Sequence, residues 1–190
     1  MMREPRIALL PAAQWPADAL EHAQRDGLLR TDGEPIHAVA LTMRHPQLAQ
    51  AWRPVGVYMM AQSTVPARDR ELAVLRTAWR CRARYEWAQH VERAGAAGLS
   101  DVEITRVTRG ADDPDWSAHE AAIIRAVDEL HDDADITDTT WAQLRTTFDE
   151  PTMLDLVYTI GVYHAVAYAQ NACGLPLEPG QAEMPEVAPR

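Results

Sequence analysis

Glu86 and His90 are the two residues whose types and spacing are best suited to chemistry. They stand four positions apart in the run 84–90, which reads RYEWAQH. On an α-helix, residues at i and i+4 share one face, with their Cβ atoms about 5–6 Å apart. A carboxylate at that distance can orient an imidazole ring and change its proton affinity. The pair therefore has the composition of a general acid–base site.

The ordinary alternative is a solvated helix pair, which contributes only about 0.2–0.5 kcal/mol to helix stability. The neighbours Tyr85 and Trp87 favour the functional interpretation, because bulky aromatic side chains on both sides shield a pair from bulk water. A shielded pair of titratable groups is more typical of an active site. We therefore interpret Glu86 and His90 as catalytic candidates.

A longer pattern surrounds the pair. It begins with RELA at 70–73, continues with YEW at 85–87 and His90, and ends with Ala94, Ala97, Gly98 and Leu99. This pattern resembles the core motif of the carboxymuconolactone decarboxylase family, which also contains the peroxidase-like AhpD proteins. The resemblance extends more weakly from the Pro46 region to Asn171. It implies an all-α, AhpD-like helical domain of about seven to eight helices.

One departure from the AhpD pattern bears on the chemistry. AhpD-type relatives carry a Cys-x-x-Cys pair before the histidine, and on alignment at His90 those cysteines fall at Ala83 and Glu86. The redox pair is therefore absent. The upstream family glutamate falls at Glu71, so the resemblance implies that Glu71 faces Glu86 and His90. Two carboxylates that share one small volume are expected to raise the pKa of one of them.

The last apolar helix supplies further candidates. His164 and Tyr168 are again at i and i+4, and Asn171 follows one turn beyond Ala167. Because the family's last helix packs against the motif helix, we expect His164, Tyr168 and Asn171, together with Tyr85, to line a substrate-binding pocket. A hydrogen-bonded core histidine is the common alternative for His164.

Metal ligation has only a weak signal. Glu71, Glu86, His90 and His164 are ligand types found in helical bundles, but the chain has no paired Glu-x-x-His repeat. We therefore predict neither a metal nor a cofactor. Asp128 and His131 form another i, i+3 pair, in which His131 is interpreted as a cation at a helix C-terminus. Cys81 is out of register with both family cysteines and is interpreted as an inert thiol.

Composition limits the class of protein. The chain has 190 residues and 47% hydrophobic residues, which predicts one domain, placed at 1–177. The proline-containing segment 178–190 is predicted to be a disordered tail. A formal net charge of -10 argues against a nucleic-acid or anionic membrane partner. Two cysteines and no secretory signal favour a cytoplasmic location.

Apolar residues recur at three and four positions along the chain, which predicts an almost entirely helical protein. Capping boxes are expected at Ser100 and Ser117, each with a glutamate three positions later. From 66 to 97 propensity alone permits one long helix, whereas the family pattern implies a break near 81–84. The other helices are predicted at 16–27, 36–44, 46–60, 135–148 and 152–171.

The function predicted from these features is cofactor-free acid–base chemistry on a small acid or lactone, such as decarboxylation or isomerisation, with Glu71, Glu86 and His90 as the catalytic residues. A peroxidase-related redox role and non-catalytic binding of a small ligand remain as alternatives. A homo-oligomer, trimer or hexamer, is also expected. The chain has more tryptophan than one core is expected to hide, at Trp15, Trp52, Trp79, Trp87, Trp116 and Trp141.

Overall fold

The structure is a computed structural model, and it describes residues 5–186. Its nine α-helices and one short 3-10 helix confirm the all-α class, and the described residues contain no strand beyond one isolated bridge between Leu29 and Pro35. The α-helices are α1 (Ala17–Arg25), α2 (His37–Thr42), α3 (Pro46–Ala61), α4 (Ala67–Arg80), α5 (Arg84–Ala96), α6 (Asp101–Val107), α7 (Ala118–Asp133), α8 (Asp138–Leu144) and α9 (Glu150–Cys173).

The predicted capping boxes are confirmed. Ser100 caps α6 together with Glu103, and Ser117 caps α7 together with Glu120, with both reciprocal hydrogen bonds present in each box. The helix predicted to run to Phe148 ends earlier, because α8 stops at Leu144. Phe148 is nevertheless buried in the core.

The chain packs as two compact units. The first comprises residues 1–62 and 172–180, and the second comprises residues 63–171 and 181–190. In the first unit a small core forms around Trp15, Ala23, Ala40 and Met43. The prediction of a single domain at 1–177 stays a prediction.

The second unit contains the larger core, which is built around α4. Helix α4 packs against both α5 and α7, and every residue from 71 to 78 is buried. A helix that is buried all round must satisfy its polar side chains internally. Arg76 does so by a bidentate ion pair with Asp128, at 2.8 and 2.9 Å, and by donating to the Val107 carbonyl at 2.8 Å.

A tight turn separates α4 from α5, as the family pattern implies. Arg82 adopts a left-handed conformation with φ 52°. The Ala83 N–H donates to the Ala78 carbonyl at 2.8 Å, and the Arg82 N–H donates to the Trp79 carbonyl at 3.0 Å. These two bonds are the Schellman arrangement that ends a helix. The turn folds α5 back along α4, so that residues of both helices can share one site.

Three residues of the tail from Glu178 to Glu186, where the described residues end, make defined contacts. In the first unit, Glu178 is buried and accepts hydrogen bonds from Arg30 and from the His37 N–H. In the second unit, Met184 is buried in the core and Glu183 pairs with Arg84. The prediction of a disordered tail at 178–190 stays a prediction. Residues 187–190 lie outside the described residues.

None of the helices within residues 5–186 is both long and apolar enough to span a membrane.

Candidate functional site

Glu71, His90 and Glu86 form one hydrogen-bonded chain in the second unit. His90 Nδ1 lies 2.6 Å from Glu71 Oε2, and His90 Nε2 lies 3.0 Å from Glu86 Oε1. The imidazole is therefore held between two carboxylates, one on each ring nitrogen. The structure brings together all three predicted catalytic residues.

The three groups are deeply buried. The side chains of His90 and Glu71 are each 1% exposed, whereas that of Glu86 is 7% exposed. Burial of three ionisable groups is tolerated only where their charges and hydrogen bonds compensate one another. Glu86 is the most accessible of the three side chains, and it is therefore the one best placed to contact a small molecule.

Two arginines lie against the site. Arg70 Nε is 3.3 Å from Glu71 Oε1, and Arg93 Nη1 is 3.1 Å from His90 Nε2. Both guanidinium groups are partly buried and remain protonated in proteins. Their positive charges offset the negative charge of Glu71 and Glu86.

His90 Nε2 has a hydrogen-bond partner in either protonation state. When the nitrogen carries a proton, it can donate to Glu86 at 3.0 Å. When it has lost that proton, its lone pair can accept from Arg93 Nη1 at 3.1 Å, because a guanidinium group only donates. Glu71 holds the proton on Nδ1 in both states. Nε2 is therefore the nitrogen at which a proton can be gained and lost.

The electrostatics favour the ionised forms. Burial opposes the charge on His90, but the hydrogen bonds and negative charges of Glu71 and Glu86 outweigh it and raise the pKa of His90 above 6.5. Burial likewise opposes the charge on Glu71, but His90, Arg70 and Arg93 outweigh it and lower the pKa of Glu71 below 4.5. Glu71 is therefore not the carboxyl group whose pKa was expected to be raised, because the cations beside it outweigh burial.

Gln170 and Tyr163 were missed by the sequence analysis, as were Arg70 and Arg93. Gln170 Nε2 donates to Glu86 Oε2 at 2.5 Å, and the Tyr163 ring packs edge-on against His90 with centroids 5.0 Å apart. Burial and the negative charges of Glu86 and Glu71 raise the pKa of Tyr163, so its phenol stays protonated. A signal for Gln170 did exist, because it occupies a core position of α9, in phase with buried Tyr163 and Ala167.

The hydrogen bonding of the Gln170 amide group beside Glu86 is incomplete. Gln170 is 5% exposed, and its Oε1 atom is buried without a hydrogen-bond partner among the described residues. A buried acceptor left unpaired costs about 1–3 kcal/mol. An acceptor beside Glu86 is thus available to a hydroxyl or N–H group of a bound molecule, or to water.

The predicted substrate-binding residues are distributed differently. Tyr85 is buried on α5 and its hydroxyl accepts a hydrogen bond from Gln89 at 3.0 Å. Tyr168 is 61% exposed, and Asn171 is exposed and donates to the Cys81 carbonyl at 2.8 Å. Their role in substrate binding stays a prediction.

His164 belongs to a second cluster. Its Nε2 atom lies 3.0 Å from His131 Nδ1, and its Nδ1 atom lies 2.8 Å from the Ile160 carbonyl. Cys81 Sγ lies 4.0 Å from His131 Nδ1. Cys81, His131 and His164 are half-buried, and one potential ligand atom from each lies within 4.8 Å of the other two. Burial raises the pKa of the Cys81 thiol to about 11, which agrees with its interpretation as a poor nucleophile.

Comparisons with known proteins identify the surrounding architecture. Residues 46–129, somewhat less than half of the chain, match the model of the Carboxymuconolactone decarboxylase family. This segment includes Glu71, Glu86 and His90. No curated protein matches the chain.

Solved structures share the fold at low sequence identity. A protein of unknown function from Agrobacterium tumefaciens, described as an AhpD-type antioxidant defence protein, is 20% identical over 72% of this chain and 96% of its own, with a TM-score of 0.66. An uncharacterised peroxidase-related protein from Silicibacter sp. TM1040 is 14% identical over 93% of this chain and 94% of its own, with a TM-score of 0.77.

A third neighbour has a named activity. The debrominase Bmp8, solved as a cysteine-to-alanine variant with 2,3,4-tribromopyrrole, is 12% identical over 91% of each chain, with a TM-score of 0.74. At these identities the structural likeness shows the fold alone. Residues 46–129 are therefore similar in sequence to the carboxymuconolactone decarboxylase family, and the chain has the fold of the AhpD-like neighbours.

Proposed function

We propose that this protein catalyses cofactor-independent proton transfer on a small carboxylic acid or lactone, with decarboxylation or isomerisation as the net reaction. The observation that carries the proposal is the pair of partners at His90 Nε2, Glu86 at 3.0 Å and Arg93 at 3.1 Å. A purely structural ion pair needs one partner for one protonation state. A residue that moves a proton needs a partner in both states.

Each residue has a distinct part in the proposed mechanism. Glu86, the most accessible member, takes a proton from the carbon beside a carbonyl and leaves an enolate, then returns it at another carbon in an isomerisation. In a decarboxylation the carbon–carbon bond breaks and carbon dioxide leaves with the enolate behind. The Nε2 proton of His90 then passes to Glu86, and Glu86 delivers it to the carbon. His90 becomes neutral, accepts from Arg93, and is reprotonated from solvent.

The residues around Glu86 and His90 have supporting roles in this mechanism. Glu71 binds Nδ1 at 2.6 Å, so it fixes the ring orientation and stabilises the imidazolium form. Gln170 holds Glu86 by one amide group and leaves its oxygen available to the substrate. The partly buried cations Arg70 and Arg93 favour an anionic substrate, because a carboxylate gains most from charges that are shielded from water.

Deuterium incorporation at carbon tests the proposal for either net reaction, because an isomerisation removes and returns a carbon-bound proton, and a decarboxylation places a solvent-derived proton on the carbon that loses carbon dioxide. The protein is incubated in D₂O with a panel of small β-keto acids, unsaturated lactones and their carboxylates, and deuterium incorporation is followed by NMR. We expect exchange beside the carbonyl of at least one class. Glu86→Gln should lower the exchange rate by about 10²–10⁴-fold, because it removes the accepting carboxylate with little change in shape.

The matched control is Glu92→Gln, which makes the same change at an exposed position of α5 and should leave the exchange rate unchanged. Equal loss in both variants would return Glu86 to a structural role. An absence of exchange across the whole panel would count against the proposed reaction class.

A thiol-dependent peroxidase is the second candidate, favoured by the peroxidase-related neighbours. The chain lacks the Cys-x-x-Cys pair, and the pKa of the Cys81 thiol is raised to about 11. Because thiol chemistry needs a thiolate and a resolving partner, we expect no hydroperoxide reduction with a dithiol donor. A hydroperoxidase activity that disappears in Cys81→Ser would overturn this expectation and favour the redox role.

We also propose that the protein is a homo-oligomer, a trimer or hexamer. Most tryptophans are at least half-buried, but Trp141 is 41% exposed, and α9 presents Leu154, Tyr158 and Tyr168 on one face at 58%, 64% and 61% exposure. Such an apolar face is typical of an interface. Light scattering should give a particle mass for the wild type that is a multiple of 21.2 kDa. The mass should be smaller for the double variant that combines Leu154→Glu with Tyr158→Glu. A wild-type particle of one chain at micromolar concentration would contradict the proposal.

A further inference from the structure

The second cluster, Cys81, His131 and His164, has the composition of a transition-metal site. A thiolate and two imidazoles are ligands that suit Zn²⁺. The three residues come from separate parts of the second unit, since Cys81 caps the end of α4, His131 lies in the last turn of α7, and His164 lies within α9. We infer that these three side chains bind a zinc-class divalent cation and cross-link the three helices through it.

The spacing of the ligand atoms is close to that of a tetrahedral site. With Zn–N bonds of about 2.0–2.1 Å and a Zn–S bond of about 2.3 Å, tetrahedral angles separate the two nitrogens by about 3.3 Å and a nitrogen from the sulfur by about 3.6 Å. The observed separations are 3.0 Å between His131 Nδ1 and His164 Nε2, and 4.0 Å between His131 Nδ1 and Cys81 Sγ. The third separation, between Cys81 and His164, is within 4.8 Å, so shifts of up to about 1 Å bring the ligands into place.

The orientation of His164 is already that of a ligand. Its Nδ1 atom lies 2.8 Å from the Ile160 carbonyl, which can only accept, so the proton resides on Nδ1 and the lone pair resides on Nε2. Nε2 is the atom that faces His131. A histidine ligand commonly donates its other ring N–H to a backbone carbonyl, which fixes the tautomer and the ring.

Without a cation, hydrogen bonds within the cluster do not pair all three ligand atoms. If His131 Nδ1 donates its proton to the lone pair of His164 Nε2 at 3.0 Å, the same nitrogen cannot accept from the Cys81 thiol 4.0 Å away. A cation supplies one partner for all three lone pairs. Binding releases the thiol proton to solvent, and the His131 proton relocates from Nδ1 to Nε2 by exchange with water. Three protein ligands leave a fourth position for water.

The surroundings hold the ligands without repelling a cation. Asn171 donates to the Cys81 carbonyl at 2.8 Å, which anchors the cysteine backbone against α9. The neighbouring cation Arg80 is paired with Asp128 and with Asp132, at 2.8 and 2.6 Å. Its charge is therefore neutralised locally by two carboxylates.

The experiment uses tag-free, full-length protein that has been freed of metal with a chelator. Zn²⁺ binding is measured by competition with a chromophoric chelator, and Co²⁺ is added as a spectroscopic probe. We expect one Zn²⁺ per chain, and a near-ultraviolet thiolate-to-Co²⁺ charge-transfer band together with the visible bands of tetrahedral Co²⁺. Zn²⁺ should also raise the melting temperature, because a ligand that binds only the folded state stabilises it.

Variants assign the binding to the named side chains. Cys81→Ser should abolish the charge-transfer band, and His164→Gln should weaken Zn²⁺ binding by at least about 100-fold, since even loss of a group that only supports a ligand costs about 10–100-fold. Cys173→Ser is the matched control, because it removes the other free cysteine, and it should keep both properties. Circular dichroism of the metal-free variants confirms that each one folds.

The result that would overturn the inference is equally specific. A wild-type protein without a charge-transfer band, or with one that survives Cys81→Ser, does not use this cluster. A Zn²⁺-induced rise in melting temperature that persists unchanged in His164→Gln also contradicts it. None of these measurements depends on the enzymatic activity proposed for Glu71, Glu86 and His90.

Discussion

His90→Asn should lower the turnover of a decarboxylation, in which His90 Nε2 supplies the proton, by about 10²–10⁴-fold while leaving the protein folded, the usual contribution of a general acid–base group. The asparagine amide nitrogen takes approximately the position of His90 Nδ1 and can still donate to Glu71, which lies 2.6 Å from that atom in the wild type. Nothing replaces Nε2, the nitrogen within reach of both Glu86 and Arg93. The variant therefore removes the proposed proton-transfer atom and keeps the buried hydrogen bond.

His90→Gln is the complementary variant. Its amide group takes approximately the position of Nε2, so it can reach Glu86 but not Glu71. We expect the same loss of turnover, because an amide does not ionise near neutral pH and cannot act as a general acid or base. We also expect a lower melting temperature than for His90→Asn. The measurements are the rate of deuterium exchange or turnover and the melting temperature of both variants. Wild-type rates in a folded His90→Asn protein would remove His90 from the mechanism.

Local patterns predicted much of the secondary structure. Ser100 and Ser117 were recognisable as helix starts because a capping box is a property of four consecutive residues. The break between α4 and α5 was not recognisable in this way. The residue at the left-handed position is Arg82 rather than glycine, so the usual C-cap signal is absent and propensity permits a continuous helix. Only the family pattern predicted the turn.

In the candidate site, too, the sequence indicates contacts between residues that are close along the chain better than contacts between distant residues. The i, i+4 spacing of Glu86 and His90 indicated their contact, because a helix alone brings them together. Glu71 reaches His90 only after α5 has folded back along α4, and its place was implied by the family resemblance. Gln170 is 84 positions from Glu86, and no local pattern encodes that pairing. A single glutamine in the buried phase of an apolar helix was the available signal.

Adjacent residues of α9 face different neighbours, as Tyr163 and His164 show. Tyr163 packs on His90, whereas the next residue, His164, is rotated by about 100° around α9 and faces His131 instead. The expectation that His164 lines a substrate-binding pocket stays a prediction. The direct contacts of His164 are with a cluster whose members lie 33 and 50 positions apart in sequence.

Glu71→Ala should destabilise the protein by about 3–5 kcal/mol, the typical cost of removing one partner of a buried ion pair. The Glu71 side chain is 1% exposed, so water cannot replace it at His90 Nδ1. Glu71→Gln keeps the volume and one hydrogen-bonding oxygen while it removes the charge. The glutamine variant should therefore lose less stability than the alanine variant, and the difference between them separates packing and hydrogen bonding from charge.

The pH dependence of this loss follows from the two pKa shifts. Glu71 has a lowered pKa in the folded state, so its contribution is fully present above about pH 4.5, its ordinary value, and is lost as the pH falls through the lowered pKa. His90 has a raised pKa, so its contribution is fully present below about pH 6.5 and is lost as the pH rises through the raised pKa. The charge-dependent part of the stabilisation is therefore greatest between these two values.

Chemical denaturation of the wild type and Glu71→Gln, from below about pH 4.5 to above about pH 6.5, measures the charge-dependent part of the unfolding free energy. We expect the difference in unfolding free energy to be largest between about pH 4.5 and 6.5 and to decrease on both sides. Glu92→Gln, on the exposed face of α5, should show a difference close to zero throughout. A Glu71→Gln difference that stays constant from well below about pH 4.5 to well above about pH 6.5 would mean that His90 and Glu71 are not an ion pair in the folded protein, and the imidazolium form required by the proposed mechanism would lose its support.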